Sequence, residues 1–339
     1  MTATKFGTSP TEGSTTNETT RASRVLPFLE AYALVGLLIL VIIFFSTWSR
    51  TSAAFPTLAN LQIVLTGQSV LAIVALGVLI PLVCSEWDLS VGASTALSAV
   101  TAAKLLSNGM SPVLALALGS SVGIVVGVVN ALLVTRLGTN AVITTLGTAA
   151  LVAGVINQIT NGATQVSNIP EFWTSFGAGK FFGIPNLFCV MIVLALATNY
   201  LLEHTPFGRR LFAIGSNRNA AHLVGIRLKW QISLAFILAG VLAGMAGILQ
   251  IGNTAAADPR IGDSLMLQAL AAAFLSAAAI KPGRYSVAGM LVALFLLAFI
   301  NSGLTIAGAP PYVTQYVNGG ALIIGVGLAV NLGRRRERS

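Results

Sequence analysis

The stretch "LAIVALGVLIPLVCSEWDLSVGASTALSAV" (residues 71–100) sets two carboxylates, Glu86 and Asp88, between two apolar runs. Acids are scarce, with only 10 Asp and Glu in 339 residues. The composition tells which solvent the chain meets. Hydrophobic residues make up 55% and charged residues 9%, whereas a soluble domain is about a quarter charged. A water-facing surface cannot be built from that stock, so the surrounding medium is lipid. A bilayer core about 30 Å thick needs about 20 apolar residues per helix, and the runs on either side of the two acids are of that kind.

Such runs recur near 28–48, 61–83, 89–107, 112–134, 141–160, 186–202, 231–251, 264–280, 286–306 and 315–332. Backbone polar groups cannot stay unpaired in hydrocarbon, so each run is expected to be a helix. The alternating strands of a barrel are absent from the sequence. The fold class is therefore all-α, a polytopic membrane protein with about ten transmembrane helices. Residues 1–27 read as a Thr/Ser-rich disordered tail, 28–332 as the transmembrane domain with a polar loop at 203–230, and 333–339 as a basic tail. The run from Phe28 exceeds the ~7–15 residues of a signal-peptide core and reads as a retained helix.

Ten spans put both ends on one side. With both ends inside, fifteen of the 19 Lys and Arg are cytoplasmic; Arg50, Lys104, Lys180 and Arg260 are outside. Basic loops stay in the cytoplasm, so both termini are expected there. The net charge of +9 is a footprint of this asymmetry and implies no nucleic-acid partner. Cys84 and Cys189 form neither a disulfide framework nor a metal-ligand spacing, and no catalytic or metal site is expected. Gly119, Gly123 and Gly127, and likewise Gly240, Gly244 and Gly247, have the spacing of close helix contacts.

The cytoplasmic stretch "EHTPFGRRLFAIGSNRNAAHLVGIRLKWQ" (203–231) is basic but not uniformly polar. Pro206 and Gly208 read as breakers of the preceding helix. Asn217 can cap a short helix over 218–224 that Gly225 ends. Ala220, Ala221 and Val224 would then form a small apolar face, either satisfied within the loop or docking a soluble partner.

At this point the sequence resembles a known family. "FGRRLFAIGSNRNAAHLVGI" (207–226), "DLSVG" (88–92) and "GVVNALLVTRLGTNAVITTLGT" (127–148) are similar, in this order, to segments of ribose-type monosaccharide permeases of ABC importers. The resemblance covers about 28–332. It implies the ten-helix type II importer permease fold, a pathway formed by two permease subunits, two ABC ATPase subunits below, and an extracytoplasmic sugar-binding protein above. It implies a bacterial inner-membrane location, and places Gly208, Arg209, Gly215, Asn217, Ala220, Ala221 and Gly225 in the segment that contacts the ATPase. ATP and Mg are expected on that partner; no Walker-type glycine loop occurs in this sequence, and no cofactor is expected in this chain. The chain departs from the family at Ala141-Val142, where a Pro-Phe pair is usual, and over 274–286, where Ser276, Ala277, Ala278, Lys281, Pro282 and Arg284 replace glycine-rich stretches.

Asp88, with Ser90, can cap the third helix; the alternative is a helix break lining a wet path. Glu86 could face a cytoplasmic vestibule or pair with Arg136 or Arg284. Sugars need hydroxyl partners, so Asn130, Thr144, Thr145, Asn157, Gln158, Gln268 and Asn301 are pathway candidates, each weighed against an ordinary interhelical hydrogen bond. The scarcity of ionisable residues deep in the spans argues against a proton-coupled carrier. That carrier, an integral-membrane enzyme, and a scaffold subunit for a sister permease are the rival readings. Cysteines placed at Ser23 and Ser339 should resist impermeant thiol reagents in intact cells, while one at Ser167 should label readily. The reverse pattern would overturn the orientation.

Overall fold

The computed structural model describes residues 16–166 and 168–338, with side-chain surroundings for 32–166 and 168–329. The first fifteen residues of the expected N-terminal tail, Ser167 and Ser339 lie outside the described residues. Among the described residues, ten long helices run through the bundle. They are α1 (Thr16–Thr47), α2 (Leu58–Val83), α3 (Val91–Ser107), α4 (Pro112–Thr135), α5 (Ala141–Thr160), α7 (Asn186–His204), α10 (Leu228–Thr254), α11 (Ile261–Leu275), α12 (Val287–Ile306) and α13 (Pro311–Arg338). Three short helices join them: α6 (Glu171–Ala178), α8 (Pro206–Ser216) and α9 (Arg218–Leu223). Seven segments are long and apolar enough to cross a membrane on length and composition, and Tyr32–Thr47 and Val91–Ser107 are shorter apolar helices.

The ends of the helices follow from local chemistry. Thr57, Asn140 and Ser286 cap α2, α5 and α12 by accepting from the backbone N–H three residues on. Each bond satisfies a donor that the first helical turn leaves free. Pro112 and Pro206 open α4 and α8, where a missing N–H costs nothing.

α2 is the axis of the bundle. Every residue from Ser69 to Val83 is buried, so it shows no amphipathic stripe, as expected for a helix enclosed by other helices. α10 packs along it and against α4. There the glycines work within the chain: a side chain on Gly123 would run into the backbone of Gly240 and Gly244, and one on Gly244 into the carbonyl of Ser120. α5 and α7 lie at the periphery and turn much of their surface outward.

One end of the bundle is closed by α6 and a two-residue hairpin, β1 (Lys180–Phe181) and β2 (Ile184–Pro185), whose turn places Phe182 and Gly183 at positive φ. Trp173 Nε1 donates to the Ile248 carbonyl (2.9 Å), seating α6 on the last turns of α10. The opposite end gathers the 84–90 break, α8, α9 and the 276–286 turn.

The sequence expectations need four corrections. α1 begins at Thr16, so the residues around Arg21 and Arg24 are helical rather than part of a tail. α13 runs on to Arg338 through the expected basic tail. The span expected at 264–280 leaves the α-helix at Leu275, passes through a 3-10 turn over Ser276–Ala278, and turns with Ile280 and Gly283 at positive φ. Gly208 is not a breaker: it lies inside α8, pressed on the Leu202 carbonyl, where no side chain fits.

Gly123→Ala and Gly244→Ala should each destabilise the protein by about 1–3 kcal/mol, the usual cost of overpacking. Gly154→Ala, with nothing within 4 Å of the added carbon, should melt like the wild type in detergent.

Candidate functional site

The 84–90 break begins with a tightly closed helix end. Ser85 N donates to Leu82 O (3.0 Å) and Glu86 N to Pro81 O (3.1 Å), with Ser85 in the left-handed region at φ 63°. This is the closure that glycine usually provides at a helix C-terminus. A serine there carries backbone strain, and its hydroxyl reaches the Gly215 carbonyl at 3.3 Å.

Asp88 is buried and accepts at Oδ1 from Ser90 N (2.9 Å) and Ser90 Oγ (2.7 Å). The expected capping of α3 is not made: Asp88 bonds only Ser90, the residue ahead of the helix, and reaches no N–H of its first turn. Ser90 is the residue before α3 and makes no side-chain cap bond; its hydroxyl instead accepts from Asn130 Nδ2 (2.7 Å). Asn130 Oδ1 accepts from Thr148 Oγ1 (2.7 Å). Thr145 Oγ1 accepts from Leu89 N (3.0 Å) and lies 3.2 Å from Trp87 O. The break is thereby fastened to α3, α4 and α5 through buried hydrogen bonds.

Glu86 pairs with neither Arg136 nor Arg284. Its Oε1 lies 2.8 Å from Nη1 of Arg218, the first residue of α9. Arg284 pairs instead with Glu203 Oε2 (3.2 Å), which Lys281 also reaches (2.9 Å), and its guanidinium stacks 3.8 Å over the Phe212 ring. The charged residues of the divergent 274–286 stretch therefore bind that turn to α7 and α8.

The 205–226 segment is two helices. Thr205 Oγ1 accepts from Gly208 N to cap α8, and Asn217 Oδ1 accepts from Ala220 N (2.9 Å) to cap α9. Gly225, at φ 82°, ends α9. Gly215 lies so close to the Val83 carbonyl that no side chain fits, while Arg209 is exposed. Ala221 does not share an outward face with Ala220 and Val224: it is 3% exposed and packs inward. The large apolar residues left outside are Leu223 and Val224, 85% and 76% exposed. The sequence reading missed Leu223, which neighbours Val224 in the same short helix segment.

The remaining polar candidates do not converge. Thr144 bonds within its own turn, to Thr139 and Asn140. Asn157 is exposed near the far end of α5. Asn301 Nδ2 donates to Asn318 Oδ1 (3.1 Å) and, with Gln68 and Gln268, lines a small cleft between α2, α11, α12 and α13. Among the described residues, no three His, Cys, Asp or Glu side chains gather where a metal ion could sit.

The family described as "Branched-chain amino acid transport system / permease component" matches residues 60–326, from α2 into α13. The chain belongs to that family. The permease is 31% identical to the ribose import permease RbsC of Escherichia coli K12 over 88% of its own length and 92% of the relative's. It is 32% identical to RbsC of Bacillus subtilis (86% and 90%) and 30% identical to the D-allose permease AlsC of E. coli K12 (93% and 98%). No solved structure matches it.

Electrostatics separates the two acids of the 84–90 break. Burial pushes the Asp88 carboxyl up to about 6, against the two Ser90 hydrogen bonds that pull it down. Burial also raises Glu86, and Arg218 opposes the rise. An unfolded aspartate titrates near ~3.9, so between about 4 and 6 the folded protein holds the extra proton and stability falls as pH rises. Asp88→Asn keeps an acceptor for both Ser90 donors and removes this titration. The wild type should lose about 1 kcal/mol more than Asp88→Asn on going from pH 5 to pH 7.5, read as melting temperature in detergent. Parallel profiles would show that Asp88 titrates in the ordinary range.

Proposed function

We propose that this permease is the membrane subunit of an ATP-driven, binding-protein-dependent importer of a monosaccharide or related polyol in the bacterial inner membrane. The observation that carries the reading is similarity along nearly the full chain to permeases named for ribose and D-allose. The segment with two small helices supports it. α8 and α9 stand off the span ends, fixed from beneath by Gly215 and Ala221, and offer Leu223 and Val224 to a partner.

That partner is a separate ABC ATPase, which binds ATP and Mg. Leu223 and Val224 enter its groove; the basic asymmetry of the sequence puts this end, and both termini, in the cytoplasm. A second permease subunit meets the outward surface of α5, where Gly147, Ala150 and Gly154 present little bulk and Asn157 is exposed. Small residues let helices approach closely in lipid. The extracytoplasmic binding protein sits over the end closed by α6.

Deleting the permease in its host should abolish uptake of one labelled sugar among D-ribose, D-allose, L-arabinose and D-galactose, and the full chain should restore it. Loss of leucine uptake with sugar uptake intact would overturn the sugar assignment. Leu223→Asp should weaken ATPase copurification about 30-fold or more, the effect of an interface anchor worth about 2 kcal/mol. Undiminished copurification would place the ATPase elsewhere.

A further inference from the structure

We propose that Glu86 and Arg218 are a positioning pair that carries movement of the α8–α9 segment into the buried Asp88–Ser90–Asn130–Thr148 chain, with the 84–90 break as the link. The proposal rests on the reading of α8–α9 as the ATPase-docking segment.

The geometry leaves the break little slack. Glu86 N is tied back to Pro81 O (3.1 Å) and Leu89 N to Thr145 Oγ1 (3.0 Å). Between them, Asp88 holds Ser90, and Ser90 holds Asn130. A displacement of Glu86 therefore passes to α3, α4 and α5 through short, buried bonds.

On the partner side, the segment touches the break at three places. Gly215 rests on the Val83 carbonyl, the Ser85 hydroxyl reaches Gly215 O, and Arg218 holds Glu86. Only the last is a directed charge contact, and it starts at the first residue of the helix that bears the exposed Leu223. Arg218 keeps 58% of its side chain exposed whereas Glu86 keeps 9%. Such a pair adds little net stability, yet losing the arginine leaves a buried carboxylate uncompensated. Its contribution is to position. The Glu203–Lys281–Arg284 cluster serves a different joint, between α7, α8 and the 281–284 turn.

The test uses the assembled importer, purified through a tag on this chain and trapped with MgATP and vanadate. Amide hydrogen exchange is followed in peptides covering 84–92 and 206–223. Both should respond to trapping in the wild type. In Arg218→Gln, 206–223 should still respond while the response of 84–92 falls at least about threefold. Arg218→Lys, which keeps the charge, should retain most of it, and Glu86→Gln with Arg218→Gln should lose no more than either alone. An 84–92 response that survives in Arg218→Gln overturns the positioning pair alone. A wild-type importer whose 206–223 segment does not respond overturns the docking reading and the pair with it.

Discussion

Lipid offers no hydrogen bonds, and the rest of the architecture follows from that constraint. Wherever a helix stops inside or beside the membrane, its free N–H and C=O groups must find partners in the chain. The end of α2 does so through the Ser85–Leu82 and Glu86–Pro81 bonds, and Asp88 takes the Ser90 amide just ahead of α3. Sealing these ends requires polar side chains, and the break concentrates them. Glu86 and Asp88 are therefore not intruders in an apolar sequence; they close the interruption between two buried helices.

Close packing then determines where the sealed ends meet. With glycine at the α4–α10 crossing, the two backbones touch, which brings Asn130 on α4 within reach of Ser90 and Thr148. An interhelical hydrogen bond in a membrane is worth only about 0.6 kcal/mol on average. The Asp88–Ser90–Asn130–Thr148 chain therefore contributes alignment of three helices more than bulk stability. Dispersion and burial around α2 supply the cohesion, and the polar chain fixes the register.

Most of the ten long helices were legible because a run of about twenty apolar residues admits one interpretation in lipid, and the shorter α3 was legible from the apolar run after the break. The Asn217 cap and the Gly225 stop were legible too, since each depends on a single residue's local chemistry. Pro206 was legible, since α7 ends at His204 just before it, but Gly208 misled because glycine is required there by the Leu202 carbonyl rather than by a turn. The face of α9 was illegible because six residues span too few turns to show a period. The partner of Glu86 was illegible because Arg218 lies 132 residues away and several arginines competed for it. The divergent 276–284 stretch resolves into an ion-pair cluster that depends on Glu203, which carries no motif of its own.

The α8–α9 segment has an inner side with no room for larger side chains and an outer side turned almost wholly outward. Gly215 cannot be enlarged without lifting the segment off α2, and Ala221 is buried beneath α9, whereas Leu223 and Val224 stand almost wholly exposed. On the docking proposed above, recognition can change at two positions while the joint beneath them stays as it is. The same proposal lets importers sharing one cell keep their motors from being exchanged by varying that tip alone.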